Sequence, residues 1–443
     1  MNREHVLTQD NALTGGNART RDNAQTGDHA RTGDNAQTGK YVLTIENLQS
    51  YFFTAKGTVP AVDDVTIEVP AGKIIGLVGE SGCGKSMTAM SVMGLLRHPG
   101  KVVGGRITLD GRDITYLNPR ERARIRGNEI SMIFQEPMTS LNPVYPVGRQ
   151  VQEAILLHQK VSRAEAKQQV IEIFKEVGIP EPEKRYNSYP HQLSGGLRQR
   201  VMIGMAMVCK PKVMIADEPT TALDVTIEAQ ILRLMKRLRD EQGTSIILIT
   251  HNMGVVAEVC DYVYVMYAGM VMEQAEVFGL FENTSHPYTQ GLLKSIPKLD
   301  SREERLYTIE GVVPNLLRLP EGCNFCNRCG KAEARCLKEK PGLYGIGADG
   351  NGMSHKVRCF LYEGRGMEDA GAAGPGAVMP ADDDAHWKLG IFYVNRDDAS
   401  LFVPERFGIG WTLNLGRPGA WAVIGGFIAV TALFLVLVFA AVG

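Results

Sequence analysis

An eight-residue run, Gly79-Glu-Ser-Gly-Cys-Gly-Lys-Ser86, constrains the fold of this chain more than any other sequence feature. It fits the pattern G-x-x-x-x-G-K-[ST], follows an apolar strand signal at Lys73–Val78 and opens a helix, as the pattern requires. The glycines let backbone N–H groups curl around the β- and γ-phosphates of a nucleotide. Lys85 suits the phosphate oxygens, and the Ser86 hydroxyl suits Mg²⁺. The run therefore predicts an α/β fold that binds a nucleoside triphosphate.

A second apolar strand signal, Val213–Ala216, ends in the carboxylates Asp217 and Glu218. Ligands bind at the carboxyl ends of strands in parallel α/β sheets, so this pair is expected beside the phosphate loop. We expect Asp217 to hold Mg²⁺, directly or through water. Glu218 is expected to polarise the attacking water and accept its proton. The alternative for such a pair is a solvated turn.

The order of the flanking motifs identifies a family. Leu193–Gln199 (Leu-Ser-Gly-Gly-Leu-Arg-Gln) precedes the carboxylates, Ala222–Asp224 follows them, and His251 ends a third apolar strand at Ser245–Ile249. Together with Gln135, this order resembles the ATP-binding-cassette (ABC) ATPases over roughly residues 43–362. The resemblance implies a P-loop ABC nucleotide-binding domain, with a RecA-like core, an antiparallel β subdomain and a helical subdomain at about residues 145–200.

The resemblance also implies site roles. Gln135 would contact Mg²⁺ and the attacking water and sense a membrane subunit, and His251 would contact the γ-phosphate. Phe52 would stack on adenine, with Tyr51 and Phe53 as competitors. The structural alternatives are a solvated loop residue for Gln135, a core histidine for His251 and core packing for Phe52.

A competent site in this family implies a dimer, because the signature loop of one subunit closes on the γ-phosphate held by the other. The candidate catalytic residues are Glu218, His251 and Gln135, and the candidate Mg²⁺ ligands are Ser86, Gln135 and Asp217. The candidate ATP-binding residues are Phe52, Gly79, Ser81, Gly82, Gly84, Lys85, Ser86, Met87, Asp217, Ser194, Gly195 and Gly196.

Two further segments, Phe134–Pro143 and His286–Thr289 (His-Pro-Tyr-Thr), resemble the ATPase subunits of oligopeptide, dipeptide and nickel importers. This resemblance implies MgATP hydrolysis coupled to uptake, with a second ATPase subunit (identical or related), two membrane permease subunits and an extracellular substrate-binding protein. The 48 Lys+Arg against 49 Asp+Glu give no basic excess, so no nucleic-acid partner is expected. The alternatives are a soluble-type ABC ATPase acting on nucleic acid or ribosomes, and a membrane-tethered regulatory ATPase.

Five of the eight cysteines lie within residues 323–359. In a cytosolic protein, where thiols stay reduced, such a cluster of cysteines is typical of metal ligands. Cys323, Cys329, Cys336 and Cys359 match the family's cysteine positions, and Cys326 is an additional thiol. Four thiolates can close a [4Fe–4S] cluster or a structural Zn²⁺ site. Iron–sulfur, zinc and no metal all remain open.

The ends of the chain differ in texture from its centre. The segment Pro418–Gly443 carries no charged residue and is long enough to span a bilayer, with a buried core helix as the alternative. Arg396, Arg406 and Arg417 precede it, which favours a cell-membrane anchor with the ATPase domain on the cytoplasmic face. The residues after Met1 show no charged and apolar leader pattern, so no secretory signal is expected. The expected organisation is a disordered tail (1–40), an ABC ATPase domain (41–277), a Cys-rich extension (278–362), a linker (363–385), a small domain resembling one of unknown function (386–418) and a transmembrane helix (419–442).

Overall fold

The computed structural model describes residues 40–135, 140–220, 225–296, 307–348 and 353–364, together with the short pieces 387–388, 392–393, 402–404, 411–415, 418 and 420. The chain divides into two units, one comprising residues up to 343 with 349–360, the other comprising 344–348 with residues from 361 onward.

The strands, numbered along the chain, are β1 (Tyr41–Thr54), β2 (Gly57–Pro70), β3 (Ile74–Val78), β4 (Gly100–Leu109), β5 (Arg112–Asp113), β6 (Ile130–Ile133), β7 (Val213–Asp217), β8 (Ser245–Thr250), β9 (Tyr262–Tyr267), β10 (Met270–Glu276), β11 (Tyr344–Ala348), β12 (Ser354–Val357), β13 (Trp387–Lys388), β14 (Phe392–Tyr393), β15 (Phe402–Pro404) and β16 (Trp411–Leu413). The α-helices are α1 (Lys85–Met93), α2 (Pro119–Ile125), α3 (Val147–His158), α4 (Arg163–Glu176), α5 (Pro182–Arg185), α6 (Gly195–Met207), α7 (Val225–Gln242), α8 (Met253–Val259), α9 (Val277–Glu282) and α10 (Pro287–Lys294). Short 3₁₀ turns occur at Pro190–Gln192, Cys326–Arg328, Ala334–Leu337 and Phe360–Tyr362.

The core of the first unit is a mostly parallel sheet with the order β12-β10-β9-β3-β8-β7-β6. Strands β3, β6, β7, β8 and β9 run parallel, and β10 and β12 run antiparallel to their neighbours. Every residue of β3, β7 and β8 is buried, as expected for near-continuous apolar strands covered on both faces. Val78 pairs with Thr250, and Asp217 pairs with Ile249. The carboxyl ends of β3, β7 and β8 therefore meet at one edge of the sheet.

A separate antiparallel sheet, in the order β2-β1-β4-β5, lies in the same unit. Alternating residues of β1 and β2 are buried, including Leu43, Ile45, Val65 and Ile67. These strands correspond to the antiparallel β subdomain predicted from the resemblance.

The helical subdomain is built from amphipathic helices with defined starts. Helix α4 begins after Ser162, whose side chain accepts from the Glu165 N–H while the Glu165 carboxylate accepts from the Ser162 N–H. Val151 of α3 and Phe174 of α4 are buried in the core shared with α6, as their spacing predicts. Leu156, next to the buried Ile155 on α3, is 38% exposed, because adjacent helical residues point about 100° apart.

The second unit contains β11 and two antiparallel hairpins, β13–β14 and β15–β16. Most of the small domain, and almost all of the predicted N-terminal tail, linker and transmembrane helix, lie outside the described residues. Within the residues that are described, no helix has both the length and the apolar character needed to cross a membrane.

Candidate nucleotide-binding site

The phosphate loop, Gly79–Ser86, connects β3 to α1. Gly79 has φ 150°, and a Cβ there would lie 2.2 Å from the Met266 carbonyl oxygen. Gly84 caps α1 with φ 106°, and its Cβ would lie 2.4 Å from the Ala61 carbonyl oxygen. Both positions therefore require glycine, because any side chain would meet backbone atoms. Ser81 and Gly82 lie at the exposed tip of the loop, and Met87 is half-buried in α1.

Lys85 folds back over its own loop. Its Nζ donates to the Gly79 carbonyl oxygen at 2.7 Å and to the Glu80 carbonyl oxygen at 3.1 Å, and the residue is only 6% exposed. The ammonium is thus fixed at the mouth of the loop, where phosphate oxygens would compete with the two carbonyls. This arrangement fits the predicted contact with a triphosphate.

Ser86 and Asp217 form an oxygen-lined corner at the ends of the loop and β7. The Ser86 side chain lies close enough to the Asp217 carboxylate to affect its pKa. Burial raises the pKa of Asp217 and the neighbouring Glu218 charge raises it further, while Ser86 and Lys85 act in the opposite direction. The Oδ1 atom of Asp217 is buried without a hydrogen-bond partner. A buried, unpartnered carboxylate oxygen beside a hydroxyl is a donor set that Mg²⁺ prefers, so these residues fit the metal.

Glu218 is held between two polar side chains. Gln135 Nε2 donates to Glu218 Oε2 at 3.0 Å, and His251 Nδ1 lies 3.0 Å from Glu218 Oε1. The backbone at Glu218 is left-handed, with φ 46°, and its N–H donates to the Ile249 carbonyl oxygen at 2.9 Å. The structure thus brings together all three candidate catalytic residues, with Glu218 facing the carboxyl end of β8.

The signature residues start a helix, as their sequence predicts. Ser194 caps α6 and accepts from the Leu197 N–H at 3.3 Å, and Gly195 and Gly196 form the first turn. The sequence did not predict the role of Gln199, the last residue of this motif, which is fully buried and donates to the Pro219 carbonyl oxygen. That bond joins the signature helix to the residue after Glu218. Residues Ala222–Asp224 lie outside the described residues.

The three candidate adenine-stacking residues occupy different environments on β1. The half-buried ring of Phe52 lies against Gly100 of β4, where a Cβ would approach it to 2.6 Å. The Tyr51 hydroxyl donates to Asp63 Oδ1 at 2.8 Å, and burial, with Asp63, raises the pKa of Tyr51 to about 12. Phe53 is 46% exposed, with Lys101 Nζ 4.9 Å from its ring centroid. One part of the Phe52 ring thus contacts β4, and its stacking on adenine stays a prediction.

The described cysteines of the extension form no disulfide bonds. Burial raises the pKa of Cys323 to about 12, with smaller contributions from neighbouring thiols that include Cys336 and Cys359. Among the described residues, no group of three or more His, Cys, Asp or Glu side chains is arranged to hold a metal ion. As placed, the predicted set of Cys323, Cys329, Cys336 and Cys359 does not form a metal site.

Three segments of the chain match known protein families. Residues 62–221 match the model described as "ABC transporter", residues 272–336 match "Oligopeptide/dipeptide transporter, C-terminal region", and residues 396–421 match a "Family of unknown function".

Three curated relatives illustrate the likeness. The oligopeptide transport ATP-binding protein AppD of Bacillus subtilis is 49% identical over 334 residues, covering 74% of this chain and 99% of AppD. The oligopeptide transport ATP-binding protein OppD of Salmonella typhimurium is 50% identical over 300 residues, covering 68% of this chain and 89% of OppD. The dipeptide transport ATP-binding protein DppD of Bacillus subtilis is 48% identical over 325 residues, covering 73% of this chain and 96% of DppD.

Proposed function

The chain belongs to the family of ABC ATPases that are the ATP-binding subunits of oligopeptide and dipeptide transporters, and from this membership we propose that it drives peptide import with the site described above. In this proposal, MgATP binds at the phosphate loop, and its hydrolysis is coupled to uptake of oligopeptides or dipeptides through a membrane permease. Nickel complexes are the alternative cargo that the resemblance allows.

The observation that carries the proposal is the placement of Glu218 between Gln135 and His251. A carboxylate acts as a general base when it can accept a proton from a positioned water. Here Gln135 would orient that water, and His251 would contact the γ-phosphate. A bound Mg²⁺ would neutralise developing phosphate charge, and Ser86, Gln135 and Asp217 would hold it.

The phosphate side of the proposed site is formed by the loop and by a second copy. Lys85 and the loop N–H groups would bind the β- and γ-phosphates, with Gly79, Ser81, Gly82, Gly84 and Met87 shaping the loop. Ser194, Gly195 and Gly196 would close on the γ-phosphate of the partner subunit, because a helix N-terminus attracts anions. The partner is a second ABC ATPase subunit, identical or related, and the dimer would act on two permease subunits that receive cargo from an extracellular binding protein.

The test is reconstitution of the full chain with its two permease subunits in proteoliposomes. Peptide-loaded binding protein is expected to raise ATP hydrolysis well above the unloaded level, and Glu218→Gln complexes serve as the inactive control. If the rate of ATP hydrolysis is the same with and without loaded binding protein, the proposed import function is overturned, but the ATPase activity is not. Copurification with nucleic acid instead of membrane would favour a soluble-type ABC ATPase.

We also propose that residues 419–442 anchor the chain in the cell membrane with the ATPase domain on the cytoplasmic face. The support is the uncharged segment Pro418–Gly443 and the arginines that precede it. Removal of residues 419–443 is expected to shift the expressed chain, without its permease, from the membrane to the soluble fraction. An unchanged distribution would contradict the anchor.

Metal binding by Cys323, Cys329, Cys336 and Cys359 is a separate hypothesis, supported by the density of cysteines in residues 323–359 and opposed by their placement. Visible absorption of anaerobically purified chain would indicate iron–sulfur, and bound zinc in metal analysis would indicate a structural site. If neither signal is observed, both the iron–sulfur and the zinc hypotheses are rejected.

A further inference from the structure

Glu80, the second residue of the phosphate loop, is paired with an arginine from the C-terminal extension. Arg328 Nη1 lies 3.0 Å from Glu80 Oε1 and 2.9 Å from Oε2, although 248 residues separate them along the chain. The Arg328 side chain is 6% exposed and that of Glu80 is 26% exposed. The pair is therefore shielded from solvent on the arginine side.

Contacts other than the one with Glu80 also hold the Arg328 side chain in place. Its Nε donates to the Glu310 carbonyl oxygen at 3.0 Å, and its Nη2 donates to the Ile309 carbonyl oxygen at 3.1 Å. Its guanidinium carbon lies 5.8 Å from the ring centroid of Tyr267. A side chain fixed by backbone acceptors and a ring loses little further freedom when it binds a carboxylate.

A second residue of the extension holds the backbone of Glu80. The Glu80 N–H donates to the Tyr288 hydroxyl oxygen at 2.9 Å. Tyr288 is fully buried and packs against Tyr267 and Phe325, with ring centroids 4.7 Å and 5.3 Å away. Tyr288 belongs to the segment His286–Thr289 that the sequence singles out.

These contacts act on the loop that carries the phosphate-binding lysine. The Glu80 carbonyl oxygen accepts from Lys85, so the N–H, the carbonyl and the carboxylate of Glu80 all have defined partners. An unpaired carboxylate in this loop would repel a triphosphate, and a loosely held Glu80 would leave the loop to be ordered on binding.

We infer that Arg328 and Tyr288 are positioning residues for the nucleotide: the extension neutralises and orients Glu80 and thereby sets the affinity of the phosphate loop for MgATP. This inference rests on the proposed nucleotide site.

The experiment is a double-mutant cycle on the full chain, with the Kd for MgATP measured by calorimetry. Arg328→Gln is expected to weaken binding about tenfold, because it leaves the Glu80 carboxylate unpaired. In the Glu80→Gln background the same change is expected to cost about twofold or less, because no carboxylate remains to be neutralised. Equal losses in both backgrounds would mean that Arg328 only maintains the fold of the extension, and would overturn the inference.

Arg358→Gln is the matched control. Arg358 is also buried, donates to the Val271 carbonyl oxygen at 3.0 Å and pairs with a carboxylate at 2.9 Å, but that carboxylate is Asp64 of β2. Its removal is expected to leave the Kd for MgATP within about twofold of wild type. A loss equal to that of Arg328→Gln would also overturn the inference.

Tyr288→Phe tests the backbone contact separately and does not depend on folding of the Arg328 variant. The ring stays and the acceptor for the Glu80 N–H is lost, so binding is expected to weaken about fivefold. If the wild-type chain itself binds no MgATP, the proposed site fails. If the wild-type chain binds MgATP, and both Arg328→Gln and Tyr288→Phe bind it with the wild-type Kd, only the present inference fails.

Discussion

His251 Nδ1 lies 3.0 Å from Glu218 Oε1, although 33 residues separate the two along the chain. The contact follows from the sheet, because β7 and β8 are parallel neighbours whose carboxyl ends meet. Gln135 binds the other oxygen of the same carboxylate. Glu218 is therefore oriented from both sides.

Glu218→Gln is expected to retain MgATP binding and to lower turnover about 10²- to 10⁴-fold, because the amide cannot accept a proton from water. The measurement is steady-state phosphate release alongside nucleotide binding in the same preparation. Ordinary hydrolysis by this variant would remove Glu218 from its role as the base.

His251→Ala is expected to lower kcat with little change in the Kd for MgATP, since it removes one of the two side chains that orient Glu218. The expected loss is about tenfold or more, as for other groups that act mainly in the transition state. His158→Ala, at the end of α3, is the control and should leave kcat unchanged. A rise in Kd with unchanged kcat would instead assign His251 to ground-state binding.

Gly79→Ala is expected to destabilise the nucleotide-free chain by about 2–4 kcal/mol, because the new methyl group would meet the Met266 carbonyl oxygen in a left-handed backbone. Gly72→Ala is the matched control. Gly72 also has positive φ, at 67°, but no atom lies within 4 Å of the place that a Cβ would take there, so a loss of about 1 kcal/mol is expected. Thermal unfolding of both variants checks the difference, and equal losses would contradict the steric argument.

His286 makes the chain less stable in mild acid. Burial lowers the pKa of His286 to about 4, although the nearby Glu273 charge opposes the shift. Because the unfolded state retains a pKa near 6.5, it binds more protons, and the free energy of unfolding falls as the pH drops from about 6.5 to about 4. Above about pH 6.5 both states are neutral and the contribution is constant.

His286→Asn isolates this effect. The His286 Nδ1 accepts from the Tyr288 N–H at 3.0 Å at the start of α10, and asparagine can supply the same cap without titrating. Denaturant unfolding between pH 7 and pH 4 is expected to show a shallower loss for the variant, by up to about 3 kcal/mol. Parallel curves for wild type and variant would contradict the assignment.

Much of the site could be predicted because its signals are local. A few consecutive residues suffice to recognise the phosphate loop, each of the apolar strands β3, β7 and β8, and the carboxylates at the end of β7. The carboxyl ends of parallel strands lie at the same edge of a sheet, so these signals also predict which residues come together. The inclusion of Gln135 among the site residues needed the family resemblance, since nothing local distinguishes that glutamine from a solvated loop residue.

Other features depend on how distant segments pack. The pairing of Glu80 with Arg328 arises only when the extension docks on the cassette, so neither residue's sequence neighbourhood indicates it. The spacing of the cysteines likewise predicted donors without fixing their directions, and among the described residues they do not converge as a metal site. The burial of Gln199 was not predicted because a polar residue in a helix is ordinarily solvated.

The contacts of Tyr288 and Arg328 with Glu80 have a consequence for truncated and chimaeric forms of the cassette. A fragment ending at residue 277 would keep every motif of the ATPase but lose both residues that fix the start of its phosphate loop. Chimaeras that join this cassette to another transporter's tail would need a tyrosine and an arginine at equivalent places. The effect of a substitution at position 80 on nucleotide binding should accordingly depend on which residues occupy positions 288 and 328.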